Sequence, residues 1–296
     1  MKKTLVLTFA LITACASPGI VRTGVIDSPY IAEASGLAPS ALRDDRLWLI
    51  NDGDSPPVIH AIATDGSPAG SIRLGNASNV DWEAIASFRL DGSAWLLVAD
   101  TGDNNAVREF GTIYVVEEPA LADNEETAAE PAWTISFRWP GGPRDCEAVA
   151  VDAASEKILL LSKRTVPAEL YELPLRPSAN DGVVTATRLG DARALPQPTA
   201  RDLERAVPER NWHWQPTAMD ISADGHAAVI LTYRAVYYFE RTESEAWTTA
   251  LQRVRAVSPL DGIREAESVA LARDGKSVFV TVESPQPPLY RIALHP

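Results

Sequence analysis

The chain has little from which to build zinc, haem or thiol chemistry: two cysteines, four histidines and two methionines in 296 residues. Cys15 falls within an N-terminal leader. Cys146 therefore has no partner for an internal disulfide in the processed chain and reads as a small buried residue. His60, His213, His226 and His295 show no metal-ligand spacing, and each reads as a surface or hydrogen-bonded side chain; His213, between Trp212 and Trp214, has the most distinctive surroundings. Basic residues are also short, with 27 Lys and Arg against 40 Asp and Glu and a net charge of −13. That balance excludes a nucleic-acid partner, whose phosphates demand a basic footprint, and suits a divalent cation. The Gly-x-Ser-x-Gly elbow, the paired-His helix and the phosphate-cradling P-loop are missing. No apolar run beyond the leader is long enough to span a bilayer.

The leader itself is a targeting signal, with Lys2 and Lys3 as a basic head and Thr4–Ile12 as an apolar stretch. Its end, Leu11-Ile12-Thr13-Ala14-Cys15, resembles the bacterial lipobox. The resemblance implies lipidation at Cys15 and, with Ala16 rather than Asp following, the periplasmic face of an outer membrane, with the lipid as the only membrane attachment. A plain cleavable signal is the alternative. Residues 16–296 then form one domain, expected as a monomer.

Within that domain one short phrase returns five times: acid, spacer, polar residue, then a small and apolar run. It reads Glu33-Ala34-Ser35, Asp81-Trp82-Glu83, Asp145-Cys146-Glu147, Gln215-Pro216-Thr217 and Glu265-Ala266-Glu267. The intervals between the third residues are 48, 64, 70 and 50. Repeats of this size signal β-propeller blades. Each phrase is followed by short strand-like segments rich in Val, Ile, Leu and aromatics, such as 45–51, 94–99, 157–162, 227–232 and 277–282, broken by Asp-Gly and Pro-containing turns. Residues 249–257 read as the outer strand of the fourth repeat and 183–189 as that of the third. The fifth repeat has only three segments before the chain ends, and 20–26 supplies the missing strand. The expectation is an all-β, five-bladed β-propeller (six-bladed as the alternative), closed by pairing the N-terminal strand with the last blade. Closure of this kind removes exposed sheet edges. The insertion 191–215 reads as a rim loop or a lid, with a helix from Thr199 to Val207 stopped by Pro208, and 119–131 as a solvated loop.

A propeller carries equivalent positions to one axis. Glu33, Asp81, Glu83, Asp145, Glu147, Glu265 and Glu267 would ring that axis, and so many carboxylates must bind a cation, take up protons or pair with bases. Oxygen donors of this type suit Ca²⁺. The structural alternative is that the acids accept hydrogen bonds from backbone N–H groups of neighbouring blades. The residues that follow each second strand should face the same way: Asp52 and Asp54, then Asp100, Asp103 and Asn104, Lys163 and Arg164, Tyr233 and Arg234, and Glu283.

The runs Glu147–Asp152 (EAVAVD) and Glu267–Gly275 (ESVALARDG) resemble the blade-opening strands of secreted bacterial propellers of the phytase-like group, known by the label "esterase-like activity of phytase". The resemblance implies Ca²⁺ at the top of the axis facing Glu83, Glu147 and Glu267, with Lys163, Arg164 and Arg234 as phosphate contacts. Thr217 departs from the acidic pattern. Two functions follow as expectations. One is a metal-dependent phosphoester or ester hydrolase of the cell envelope acting on a small anionic substrate, with Lys163, Arg164 and Arg234 in catalytic roles. The other is a propeller that binds a ligand or an envelope protein without turnover.

Overall fold

The computed structural model describes residues 19–178, 182–200 and 214–295. Cys15, Trp212, His213 and the centre of the 191–215 insertion lie outside the described residues. Five small sheets stand around one axis as a five-bladed β-propeller. Blade 1 holds β2 (Ala34–Pro39), β3 (Arg46–Asn51), β4 (Val58–Ala63) and β5 (Pro68–Leu74), and blade 2 holds β6 (Trp82–Leu90), β7 (Ser93–Asp100), β8 (Gly111–Glu117) and β10 (Trp133–Arg138). Blade 3 comprises β11 (Cys146–Asp152), β12 (Lys157–Ser162), β13 (Glu169–Pro174) and β15 (Thr187–Asp191). Blade 4 comprises β16 (Pro216–Ile221), β17 (Ala227–Thr232), β18 (Ala235–Glu240) and β19 (Ala256–Pro259). Blade 5 joins β20 (Ala266–Leu271), β21 (Ser277–Val282) and β22 (Pro288–Ala293) to β1 (Ile20–Val25), which pairs antiparallel with β22, Ile20 opposite Ile292. The expected closure is thus in place.

Two ingredients put the recurring phrase on the axis. Each of the innermost strands β2, β6, β11, β16 and β20 carries small residues, such as Ala34, Gly36, Ala84, Ala148, Ala218 and Ser268, where five backbones converge. At Gly36 a Cβ would lie 2.9 Å from the Ile85 backbone nitrogen of the next blade. The second strands β3, β12, β17 and β21 are almost wholly buried, so they read as continuous apolar runs with no alternation. Side chains from adjacent blades fill the wedges between them, as where Trp48, Ile50 and Ile72 pack with Trp82, Ile85, Leu96 and Val98. Cys146 is buried in the wedge between blades 2 and 3, as expected.

Hydroxyls stitch the inner strands together. Ser35 donates to the Trp82 carbonyl (2.7 Å), Thr101 to that of Cys146 (2.7 Å), Thr217 to that of Ala266 (2.9 Å) and Ser268 to that of Ala34 (3.0 Å). These bonds span four of the five blade junctions, including the closing one. Buried carboxylates do similar work elsewhere. Glu118 accepts from Ala41 N–H and the Trp48 indole, Asp152 binds Arg241 and the Trp247 indole, and Asp220 accepts from Ile221 and Leu271 N–H.

Three expectations are corrected. Segment 119–131 is not simply a solvated loop: it contributes β9 (Glu125–Ala129), which adds to blade 1 in parallel with β5. Its polar sequence, EETAA, fits an edge strand whose faces stay largely in solvent. Residues 183–189 split at the buried Ala186. The first part forms β14 (Val184–Thr185), which pairs in parallel with β10 of blade 2, and only the second part serves blade 3. In 249–257 the strand is confined to β19, because Trp247–Ala250 forms a helical turn that buries the Trp247 ring beside Asp152.

Replacing Ser268 with Ala would leave the Ala34 carbonyl without its hydroxyl donor at the closing junction. The urea midpoint should fall by the equivalent of about 1–3 kcal/mol; an unchanged midpoint would remove this bond from the account of closure.

Candidate functional site

Each inner strand is irregular at one place. Pairing with the second strand slips between Ala34 and Gly36, Trp82 and Ala84, Cys146 and Ala148, Pro216 and Ala218, and Ala266 and Ser268. The extra residues are Ser35, Glu83, Glu147, Thr217 and Glu267, the third position of every phrase. A bulge re-aims the side chain of its unpaired residue, and here it does so five times toward the axis. Across the strand pair, the residue after each second strand joins them. Asp52, Thr101, Lys163 and Glu283 donate their backbone N–H to the carbonyls of Glu33, Asp81, Asp145 and Glu265, at 2.9–3.1 Å.

The result is an uneven belt of charge. In one half, oxygens of Asp52, Asp81 and Glu83 lie within 4.8 Å of one another, as do those of Glu83, Asp145 and Glu147, so that these clusters could hold a metal ion. Glu83 belongs to both. In the other half the Lys163 ammonium pairs with Glu147 and donates to the Tyr233 hydroxyl (3.1 Å), which in turn donates to Glu267 (2.6 Å). Glu283 stands beside Glu267, placed to share a hydrogen bond once one of the two carboxyls is protonated.

The carboxylates differ in how they are satisfied. Asp145 accepts from Asp103 N–H (2.9 Å) and Arg164 (2.6 Å), and Arg164 also reaches Asn104. Asp103 accepts from Val107 and Arg108 N–H, and Asp100 from Val80 and Asp81 N–H and from the Arg108 guanidinium. Asp52 and Asp81 stand side by side, placed to share a hydrogen bond once one of them is protonated. Glu83 is 5% exposed, and among the described residues nothing donates a hydrogen bond to it. The Asp81–Glu83 pair is walled in by backbone. A Cβ on Gly102 would fall 2.4 Å from Asp81 Cγ and from Glu83 Oε1, and one on Gly53 would fall 3.0 Å from Asp81 Oδ1.

Protonation follows from this crowding. Burial pushes Asp81 up to about 7, helped by the charge and hydrogen bond of Asp52. Burial likewise holds Glu83 well above the usual carboxylate range, reinforced by Glu147 and Asp52. Glu283 rises to about 8 through burial and its bond to Glu267. Burial works against the Lys163 ammonium, but Glu147, Tyr233 and Glu267 outweigh it, and its pKa stands well above an ordinary lysine.

Of the residues expected at the site, the structure brings together Asp52, Asp81, Glu83, Asp100, Asp103, Asp145, Glu147, Lys163, Arg164, Tyr233, Glu267 and Glu283. Glu33 lies exposed outside the two clusters, its charge felt by Glu283. Glu265 and Asp54 are exposed turn residues with positive φ. Arg234 is exposed, with its guanidinium 5.8 Å from the Trp214 ring centroid. The structural alternative fits Asp100, Asp103 and Asp145, which do accept backbone N–H groups. It does not fit Glu83, Glu147 or Glu267, for which no such bond occurs among the described residues. Sequence reading missed Gly53, Gly102, Thr101 and Arg108; the recurrence of Asp52-Gly53 and Thr101-Gly102 after successive second strands was the available signal.

No family model matches the sequence, and no curated protein does. Among solved structures, the chain aligns with Raptor of Chaetomium thermophilum at a TM-score of 0.39 and 12% identity, over 88% of this chain but only 20% of that one. It aligns with a luciferin-regenerating enzyme at 0.49 and 8%, over 89% and 92% of the two chains. A gluconolactonase of Xanthomonas campestris aligns at 0.44 and 13%, over 88% and 72%. The chemistry of the site is therefore read from its own residues.

Two outcomes are expected. Gly102→Ala should displace the 101–108 loop from the carboxylate pair and destabilise the chain by about 1–3 kcal/mol in urea; an unchanged midpoint would mean that the pair moves aside freely. Asp81 and Glu283, with the buried Asp220 (also raised to about 7), have folded-state pKa values above their unfolded ones. Their contribution is complete in acid and lost as pH rises through the folded values. In EDTA the melting temperature should therefore fall between about pH 5 and about pH 8. A flat or rising profile would contradict the assignment.

Proposed function

We propose that the chain holds a hard divalent cation of the Ca²⁺ type on Asp52, Asp81 and Glu83, and hydrolyses a phosphoester or ester of a small anionic substrate at that point. The observation that carries the reading is Glu83, a buried carboxyl that forms no ion pair and accepts no hydrogen bond among the described residues. Between the two carboxylate clusters, the Asp52 cluster fits a cation better. Asp145 and Glu147 already have Arg164 and Lys163, whereas among the described residues no Lys or Arg pairs with Asp52, Asp81 or Glu83. The cation, when bound, polarises the substrate oxygen and lowers the pKa of a coordinated water.

This chain's own groups do the rest. Lys163, held charged and aimed by Glu147 and Tyr233, faces the acidic half and neutralises charge that develops on the substrate. Tyr233, whose hydroxyl accepts from Lys163 and donates to Glu267, holds the ammonium in place between the two halves of the belt. Arg164, committed to Asp145 and Asn104, positions the 100–108 loop, and Arg234 beside Trp214 would meet the substrate farther out.

A second reading, binding without turnover, has its own support. Val80, Val107, Phe110 and Val166 are exposed apolar side chains on loops of the axial face, 39–73% accessible, and suit an envelope protein partner. Either activity would be exercised from the periplasmic face of the outer membrane, through lipidation at Cys15, as the leader implies. The phytase-like resemblance supports the same assignment of Glu83, Glu147 and Glu267 to the metal-facing side.

The test is thermal unfolding of the chain lacking residues 1–15, in EDTA and then with Ca²⁺, Mg²⁺ or Mn²⁺ restored. Binding should add about 2.7 kcal/mol at a hundredfold excess over Kd. Glu83→Gln should leave the melting temperature in EDTA near that of the parent at neutral pH, since burial already keeps the carboxyl protonated there, while abolishing both the cation-dependent rise and turnover on aryl phosphoesters and esters. A lower melting temperature in EDTA would make Glu83 a structural group instead. A cation shift without turnover would favour the binding reading.

A further inference from the structure

The flank of blade 1 carries a second cavity, away from the axis, of about 420 Å³, within the roughly 300–1,000 Å³ typical of small-molecule sites. Two departures from the regular propeller build it. One is β9, the fifth strand of blade 1, which together with the preceding Asn124 provides the outer wall through Glu126. The other is the Ser28–Ile31 connection from β1 to β2, which covers the cavity from the side of blade 5. The fit of β9 depends on one residue: Gly70, at φ +132°, would with any Cβ meet the Glu125 carbonyl at 2.4 Å.

The polar groups on this face follow from strand register. His60 stands opposite Ser71, Ser71 opposite Glu126, and Arg73 opposite Val58, diagonal to His60. Val58 and His60 of β4 line the cavity, while Ile59 joins the core shared with blade 2 and Ile62 the core shared with blade 5. His60 was expected to be a surface or hydrogen-bonded histidine. It is instead partly buried, and among the described residues no group hydrogen-bonds its ring. Burial lowers its pKa to about 4, so it is a neutral imidazole with one N–H to give. Arg73 likewise has no ion pair or hydrogen bond among the described residues. The His60 ring and the exposed Arg73 guanidinium thus present uncommitted donors to the same cavity.

We propose that this cavity binds a small monocarboxylate with an apolar or aromatic body, its carboxylate held by Arg73 and the His60 N–H and its body by Pro29, Tyr30, Pro56 and Val58. A guanidinium recognises a carboxylate with two parallel hydrogen bonds, and the neutral imidazole adds a donor that brings no second charge. Glu126, one strand out from Ser71, and the acidic surface of the chain disfavour a dianion or a phosphate. The proline and tyrosine walls disfavour a fully hydrated ligand. The site is independent of the axial one: none of its lining residues belongs to the carboxylate belt.

Isothermal titration of the chain lacking residues 1–15 with benzoate and with phenylacetate, using benzamide as the uncharged match, tests this. Either acid should bind with one-to-one saturation, about tenfold or more tighter than benzamide. Arg73→Gln, at an exposed position that the fold does not need, and His60→Leu should each weaken binding by about tenfold or more. EDTA should leave it unchanged. Failure of both acids to saturate, or equal binding by Arg73→Gln, would overturn the site. Binding abolished by EDTA would place the carboxylate on the axial cation and overturn it equally.

Discussion

Five inner strands meet at one axis, and each must bend away before it collides with the others. The bulge that permits the bend is the constraint from which the rest of the molecule follows. It frees one residue per blade from the ladder and leaves a carbonyl just before it exposed to the neighbouring blade. The hydroxyls of Ser35, Thr101, Thr217 and Ser268 satisfy those carbonyls at four junctions, fixing the angular spacing of the blades. Ring closure by β1 and β22 then matters as much for polar satisfaction at the centre as for the edge it hides.

Most of this was legible because the bulge leaves a local trace. Its residue must be small or polar, its predecessor begins the strand and its successors are small and apolar, so the phrase survives where the rest of the blade diverges. The terminal strand was legible because the fifth repeat is visibly one strand short. What escaped notice depends on pairing between distant segments. Nothing in EETAA announces that Glu125–Ala129 will align with β5, since an edge strand open to solvent needs no apolar periodicity and its docking depends on the absence of a Cβ at Gly70. Nothing in the 249–257 segment shows that Trp247 will be claimed by Asp152 of another blade. At the site, the phrase located the carboxylates but not their partners. That Lys163 serves Glu147 while Arg164 serves Asp145 is decided by how two successive residues diverge at a strand end.

His60 shows the same limit from the other direction. Its sequence context, VIHAIA, alternates as a strand with one side in the core and one side out, and a histidine on the outer side is ordinarily solvated. It is partly buried only because β9 and the Ser28–Ile31 connection, both outside the repeat, close over that face. Positions where the repeat pattern is broken by added chain are therefore where a propeller of this kind gains features that its blades do not specify.

The same comparison between blades bears on the axial acids. Ser35 and Thr217 occupy the bulge position in blades 1 and 4 and discharge the structural duty there with a hydroxyl to the next blade's carbonyl. A fold with that solution available twice has no structural need for Glu83, Glu147 and Glu267 at the other three bulges. Lys163 and Tyr233 compensate Glu147 and Glu267, each from the end of a second strand. For Glu83 the corresponding position is Thr101, whose hydroxyl is spent on the Cys146 carbonyl, and the adjacent backbone at Gly102 is pressed against the carboxylate without donating to it. Ionising Glu83 in place, without a partner, would cost several kcal/mol, so burial keeps the carboxyl protonated in the empty fold. The acid at position 83 is thus accommodated by holding a proton, and any cation bound beside it would first have to displace that proton.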